Sequence, residues 1–314
     1  MIEKYIEKLI VNLPKNITNV KKPLKLDLVL DGGMFNGSYL IGGLYFLKEM
    51  ERRNYIKIER ISGCSIGSVM GFLYFMDSLH LAEELYGLFF KCFQEEHHLT
   101  LLTNLKDLLK ESIPKNICEN LKNRFYITFY NMRFHKKIVK HDYKNIDEVI
   151  DCLIRSCFVP FVINGNILYK NKYMDGVNPY IFPLNTNTNK DKNSSKRKIL
   201  YLDLYGYDKL LDMICVKNEK TNIHRILSGM LDIHTFFIKQ SNTRMCSYVN
   251  EWNIINKIHN YIKLKMEKIN FIIISFLLFI KKHLPLEYNE TVIYKMLTSI
   301  VHDAYHNLVG SFCI

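Results

Sequence analysis

LDLVLDGGMFNGSYLIGGLYFLKEMERRNYIKIERISGCSIG, residues 26–67, is the stretch on which the fold turns. Residues 26–30 form a short, largely apolar run of the length and composition that suits a buried strand. A loop follows at once, Asp31-Gly32-Gly33-Met34-Phe35-Asn36-Gly37, and then Leu40, Ile41, Leu44 and Leu47 recur at helical spacing. A second apolar approach, residues 58–62, ends in Gly63-Cys64-Ser65-Ile66-Gly67. Two glycine-rich turns, each leaving a strand and entering a helix, therefore lie within about one βαβ unit of each other. The later turn has the G-x-S-x-G spacing of a nucleophile elbow. There Gly63 and Gly67 let strand and helix approach closely around a strained turn that exposes the hydroxyl of Ser65. The earlier turn can supply backbone N–H groups to an oxyanion. Together they suggest acyl transfer.

A nucleophilic serine needs a base, and the chain supplies a candidate downstream. Residues 124–132 (RFYITFYNM) are rich in β-branched and aromatic residues and predict a strand, with Ile138 and Val139 pairing beside it. Asn145 opens a helix through Ile146, Val149, Ile150 and Leu153, with Asp147 and Glu148 suited to its first turn. That helix gives out at residues 156–160. A hairpin-like passage over residues 162–173, turning at Asn164-Gly165, delivers Tyr173-Met174-Asp175-Gly176-Val177-Asn178-Pro179. Asp175 is held at a turn, and Gly176 allows backbone close to it. An ionised carboxylate there can accept a serine proton as general base. The alternative order, Ser…Asp…His, offers His224, His234, His259, His283, His302 and His306, none marked by its local context. Cys64, beside Ser65, is expected to pack inward.

These three motifs, in this order, resemble the patatin-like phospholipases, α/β/α lipid acyl hydrolases that work with a Ser–Asp dyad. The family's G-G-G-x-[RK]-G oxyanion loop corresponds to residues 32–37, its G-x-S-x-G motif to residues 63–67, and its Asp-Gly-[Gly/Ala] motif to Asp175-Gly176-Val177. The stretch from Ser156 to Pro160 is similar to the one that precedes the last motif. The resemblance covers residues 26–206 and implies a three-layer fold with a mainly parallel central sheet. It implies Ser65 as nucleophile and Asp175 as base. The amides of Gly32, Gly33 and Met34, with that of Ile66, would form the oxyanion hole, and Gly37 and Gly176 would support the loops. The implied activity is that of a phospholipase A or lysophospholipase acting on lipid at a membrane surface. The sequence departs from the pattern at Met34 (a glycine in the family), Asn36 (a cation) and Val177. A side chain at Met34 is compatible with the hole if φ there is negative. Met34 and Asn36 also motivate a different class of reading, a catalytically degenerate relative that binds lipid or a protein partner.

The rest of the chain bounds these readings. Its 314 residues, 48% hydrophobic, suffice for one α/β domain with a helical extension: an amphipathic helix and linker at residues 1–25, a core at 26–206, and helices at 207–314. Ile2, Tyr5, Ile6, Leu9 and Ile10 share one face of the first helix, which is expected to pack on the domain. The net charge of +12 favours anionic partners. No helical run interleaves basic with base-stacking residues, so nucleic acid is not expected. The eight cysteines form no CxxC pair and no acidic cluster has calcium-loop spacing, so neither a metal nor any other cofactor is expected. With no uninterrupted apolar leader the protein is expected in the cytoplasm, peripheral on membranes if attached at all. The sequence leaves the oligomeric state open.

Further expectations concern the linking segments. His97 and His98 read as a solvated helix end, and residues 99–109 as an amphipathic helix. Residues 185–198 are polar and low in complexity and read as a surface loop; residues 199–205 (ILYLDLY) form the last strand. Residues 222–239 and 246–259 carry helix-period apolar positions. Residues 271–280 (FIIISFLLFI) are the most apolar stretch. The 12 residues between Lys268 and Lys281 make about 18 Å of helix, short of the roughly 20 residues a bilayer core needs. A buried core helix is the first expectation there, and an interfacial helix flanked by Lys265, Lys268, Lys281 and Lys282 the second.

Overall fold

Alternation along the first strand divides the molecule into layers. In a computed structural model, which describes residues 2–19, 21–114, 116–184, 197–204, 213–216, 219, 221–283, 299–300, 303–307 and 309–313, β1 (Leu24–Leu30) turns Leu26, Leu28 and Leu30 into the main apolar core. Val29 points the other way, into a second cluster with Phe182, Ile199 and Tyr201. Burial on both faces suits a central parallel strand. β2 (Ile56–Cys64) pairs parallel on one side of β1 and β6 (Lys198–Leu202) on the other; β3 (Phe125–Asn131) continues the parallel run beyond β2. β4 (Lys136–Lys140) and the short β5 (Tyr173–Asp175) both lie antiparallel to β3, and β7 (Cys246–Tyr248) lies antiparallel to β6. The spatial order is β4-β3-β2-β1-β6-β7, with β5 attached to β3.

Helices cover both faces. α1 (Ile2–Val11) buries Ile6 and Ile10, and α2 (Lys15–Thr18) is a single turn. α3 (Gly37–Arg52) carries the chain from β1 to β2, and α4 (Ile66–Phe75) leaves β2. α5 (His80–Glu96), α6 (Leu105–Leu109) and α7 (Ile117–Leu121) lead to β3. α8 (Ile146–Cys157) starts at Asn145, whose side chain accepts the Glu148 N–H at 2.9 Å as an N-cap. α9 (Ile223–Lys239) packs against α3 so closely that a Cβ on Gly42 would lie 1.8 Å from the Ile226 carbonyl oxygen, and one on Gly229 1.9 Å from that of Tyr39. α10 (Ile254–His283) crosses the opposite face. Its Lys263 meets Tyr201 on β6, and its Phe271 packs against Tyr130 on β3. Helices, a mostly parallel sheet and α10 are the three layers.

Several expectations need correction. Residues 246–248 are strand, not helix. Cys246, Ser247 and Tyr248 are buried and complete the sheet beyond β6, so β6 is not its last strand. The helix starts only at Ile254, after a 3-10 turn at Val249–Glu251 and Trp252, whose indole N–H donates to Ser247 Oγ at 2.9 Å. Residues 99–109 split into a 3-10 turn, Thr100–Asn104, and α6. Residues 162–173 turn at Gly165 (φ +74°) but form one bridge, Tyr169 with Tyr173, rather than a ladder. His97 and His98 do end α5, yet they are not simply solvated. Their rings pack on His306 and Tyr305. The largest departure is at residues 271–280. Ile274 is buried, but Ile272 is 64% and Phe276 61% exposed, so this is no core helix. The loop expected at 185–198 lies, up to residue 196, outside the described residues.

Candidate active site

One strand brings the two motif residues together. β4 occupies one edge of β3 from Ile127 to Asn131, so β2 and β5 must share the other edge. They divide it end to end. Cys64, the last residue of β2, pairs with Thr128, and Asp175, the last residue of β5, pairs with the adjacent Phe129. Because β2 runs parallel to β3 and β5 antiparallel, their C-terminal ends meet. Ser65 and Asp175 follow from that register. The Ser65 hydroxyl and the Asp175 carboxylate face one cavity, both residues are buried, and the hydroxyl favours the charged form of the carboxylate.

The elbow is a strained turn held by near neighbours. Ser65 adopts φ +49°, ψ −135°, outside the usual regions for a non-glycine residue. A Cβ on Gly63 would meet Gly67 O at 2.6 Å, and one on Gly67 would meet Asp31 O at 2.4 Å. These positions admit only glycine. The Ser65 N–H donates to Ser156 Oγ at 2.9 Å, and Ser156 in turn donates to Thr128 O at 2.7 Å, tying the elbow to β3. The Ser65 carbonyl accepts from Ser68 Oγ at 2.7 Å. Cys64 is fully buried, its Sγ 3.4 Å from Val177 O, and burial pushes its thiol far above the ordinary range. It is a packed thiol, as expected.

Asp175 is fixed at its turn by backbone hydrogen bonds on both sides. Its backbone N–H donates to Phe158 O at 2.9 Å, and its Oδ1 accepts the Val177 N–H at 2.6 Å. Gly176 sits against β3, where a Cβ would be 2.3 Å from Thr128 O. Burial raises the Asp175 pKa from 3.8 to about 6; the Ser65 hydroxyl, the Val177 N–H and the Lys137 ammonium pull it down, and Glu267 adds to the rise. Val177 itself lies at φ +58°, which a β-branched residue rarely adopts.

The glycine loop differs from expectation in two ways. Met34 has φ +45°, not a negative value, because the chain must reverse through Gly33 (φ +152°) and Met34 into the 3-10 turn Met34–Asn36. For a residue with a Cβ that geometry costs about 1–2 kcal/mol. The Gly32 N–H donates to Asp31 Oδ1 at 3.0 Å, so it is engaged within the loop rather than directed at a substrate oxygen. Gly32 instead provides close approach, since its Cβ would be 3.0 Å from that of Ser65. Gly37 packs under Ile66, where a Cβ would lie 2.3 Å from Cγ1. Ile66 opens α4, so its N–H has no intrahelical acceptor, and the helix presents its positive end to the Ser65 hydroxyl.

Sequence reasoning missed the residues that support this loop from the C-terminal helices. Asn36 is fully buried. Its Nδ2 donates to Leu204 O at 3.2 Å, and its Oδ1 accepts from Arg225 Nη1 of α9 at 2.8 Å. Arg225, 1% exposed, also donates to Glu219, at 2.9 Å from Nε. A guanidinium thus stands at the position where the motif lacks its cation. Asp31 is paired with Lys263 of α10, and Lys263 also reaches Tyr201 OH at 2.9 Å. Burial still carries the Asp31 pKa up to about 7 against the pull of that ammonium. Glu267, buried on α10, accepts from Tyr130, from Lys137 at 2.8 Å and from Asn178 at 2.6 Å, clamping the helix beside the Asp175 loop. The sequence signal for these residues is faint, because Arg225 and Glu267 look like members of an ordinary polar helix face.

Two cavities meet at Ser65. One, of about 80 Å³, is walled almost wholly by apolar groups, among them Phe35, Val69, Met70, Leu85, Phe89 and Leu102. The other, of about 300 Å³, holds Asp175, Gly33, Met34 and Val177 and is closed by Asn270, Ile273 and Ile274 of α10. Among the described residues no histidine lines either cavity. His259 faces Asp203 at 3.1 Å and His283 bonds Phe279 O, while His302 lies outside the described residues. Among the described residues, no group of three His, Cys, Asp or Glu side chains converges as a metal site. The arrangement is a hydroxyl and a buried carboxylate lining one cavity, beside helix-end amides and a narrow apolar slot. It can transfer a proton from serine to aspartate while the serine oxygen attacks a carbonyl. The sequence signature of the patatin-like phospholipases matches residues 28–185, half of the chain. No curated protein matches it.

Proposed function

The chain belongs to the patatin-like phospholipase family, and on that premise we propose that it is a serine acyl hydrolase cleaving fatty-acyl esters of lipids, of the phospholipase A or lysophospholipase type. The observation that carries this reading is the register on β3 that sets Ser65 beside Asp175 in one cavity, at the mouth of an apolar slot. Asp175 takes the Ser65 proton as Oγ attacks the ester carbonyl carbon. The negative charge that forms on the carbonyl oxygen is held by the N–H groups of Gly33, Met34 and Ile66. Removing one such donor typically costs about 2.7–4 kcal/mol of transition-state stabilisation. The carbonyl re-forms, the C–O bond to the leaving group breaks, and protonated Asp175 returns the proton to the departing alkoxide. Asp175 then deprotonates water, which attacks the acyl-serine; the acyl–Oγ bond breaks, Asp175 returns the proton to Ser65 Oγ, and the fatty acid leaves.

The raised pKa of Asp175 serves this chemistry. A carboxylate near 6 is a better proton acceptor than an ordinary one and is still mostly ionised at neutral pH. The apolar slot takes the acyl chain, and the larger cavity beneath α10 takes the rest of the lipid. Arg225 acts as a positioning residue, fixing Asn36 and through it the loop that carries the Gly33 and Met34 amides.

A second reading has a specific observation behind it. Met34 at positive φ and the engaged Gly32 amide would suit a degenerate relative that binds lipid, or a protein partner, without cleaving an ester. Fatty-acid release from a panel of phospholipids, lysophospholipids and triacylglycerols separates the two. The acyl-hydrolase reading expects release by the wild type and none by Ser65→Ala. Vesicle binding without release across the panel would establish the degenerate one.

A further inference from the structure

α10 has two unlike faces. Lys263, Glu267 and Ile274 are turned to the protein, where the first two make the ion pairs and hydrogen bonds described above and Ile274 closes the cavity. The far face exposes Ile258, Ile262, Ile269, Ile272, Phe276 and Ile280, with Ile272 and Phe276 the most open. At 100° per residue these positions gather on one side of the helix. Lys257 and Lys268 are exposed along one flank of this stripe, Lys265 stands within it between Ile262 and Ile269, and Lys281 and Lys282 are exposed at the helix end. Glu267 is the sole carboxylate of the helix, and it is buried. An apolar stripe of this length, left in water and edged by cations, marks a contact surface. No helix among the described residues is long and apolar enough to cross a membrane.

We propose that this face of α10 docks flat on an anionic lipid bilayer, with its isoleucines and Phe276 entering the acyl boundary and its lysines meeting the headgroups. Two observations select a bilayer over a second copy of the chain. Pairing two such faces would bring lysine against lysine with no carboxylate between them, whereas an anionic surface complements them. The stripe is also continuous with the cavity at Ser65, because Ile273 is half exposed on this face and lines that cavity together with Asp175. A lipid drawn from a docked bilayer therefore reaches the serine along apolar surface. The role of the face as a substrate gateway rests on the acyl-hydrolase reading; docking itself does not.

The test is flotation of the full chain with vesicles containing phosphatidylglycerol, alongside hydrolysis of a soluble p-nitrophenyl butyrate. The variant combines Ile269→Glu, Ile272→Glu and Phe276→Glu, three residues that line neither cavity. Docking predicts that the wild type floats, that the variant partitions at least about 100-fold less, and that soluble-ester hydrolysis is unchanged. Binding of the wild type should also fall in neutral phosphatidylcholine and with added salt. Equal flotation of wild type and variant would overturn the proposal. So would a wild-type dimer that the variant dissociates without loss of flotation. Flotation without hydrolysis of any ester would leave docking standing and reject the catalytic reading instead. Should the triple variant fail to fold, Phe276→Trp in a Trp252→Phe background places the chain's one tryptophan on the face. Its emission should shift to the blue on anionic vesicles and be quenched by brominated lipid; unchanged emission would contradict docking.

Discussion

The elbow at Ser65 and the glycine loop before it are both strained turns, but they are held in different ways. The elbow is fixed from within the family-matched segment, by Gly63, Gly67, Ser68, and the Ser156–Thr128 relay. The loop is fixed from outside that segment, by Arg225 on Asn36, Leu204 on Asn36 and Lys263 on Asp31. The half that keeps its motif supports itself, and the half that has lost a glycine and a cation leans on α9 and α10. A departure from a motif can therefore be balanced by residues some 190 positions away, here Arg225 for Asn36.

Breaking each half separately tests this division. The largest effect is expected at the dyad. Asp175→Asn should lower kcat by about 10²–10⁴ while leaving the thermal melt nearly unchanged or higher, since a buried carboxylate is removed; retained activity would point to another base. The pH profile follows the same group. With Asp175 at about 6, kcat/KM should fall about tenfold per pH unit below that value and level off above it. Stability should respond with the opposite sign. The folded state holds its proton up to about 6 while the unfolded chain releases it near 3.8, so this group's contribution to stability falls as pH rises through that window. Asp31 acts in the same direction up to about 7.

Next in size is the remote support of the loop. Arg225→Met leaves Glu219 without its guanidinium and Asn36 Oδ1 without its donor. Removing one partner of a buried pair costs about 3–5 kcal/mol. A denaturant titration should show that loss, and kcat should fall more than KM changes, with partial rescue by Arg225→Lys. If kcat is unmoved, the loop does not depend on α9. The corresponding cut in the elbow is smaller. Ser156→Ala strands the Ser65 N–H and costs about 1–3 kcal/mol, with a parallel loss of kcat as the turn relaxes. The smallest expected change is a gain: Val177→Gly relieves a positive φ and should stabilise the fold by about 1 kcal/mol, read as a raised melting temperature.

What was legible in the sequence follows the same line. Motifs set by local sterics could be read: the glycines that admit close backbone approach, the strand-turn-helix context of Ser65, and the Asp-Gly turn at 175. The register that joins them could not, because it depends on β2 and β5 sharing one edge of β3. Arg225, Lys263 and Glu267 were hidden for a related reason. A lysine or arginine every few residues is the mark of a solvated helix face, and only tertiary contact distinguishes the one that is buried. The short strand Cys246–Tyr248 read as helix because three residues at a sheet edge are too few to establish a period of two. For residues 271–280 composition alone favours a core helix over an interfacial one, and the exposure of Ile272 and Phe276 rules out the first. Apolar content says that a face avoids water, but not whether protein or lipid covers it.

The central claim is that Ser65 is a nucleophile activated by Asp175. Intact-mass analysis after treatment with an active-site-directed fluorophosphonate tests it most directly. The wild type should gain one adduct, mapped to Ser65, while Asp175→Asn reacts far more slowly and Ser65→Ala not at all. Equal labelling of wild type and Ser65→Ala, or an adduct on another residue, would contradict the account.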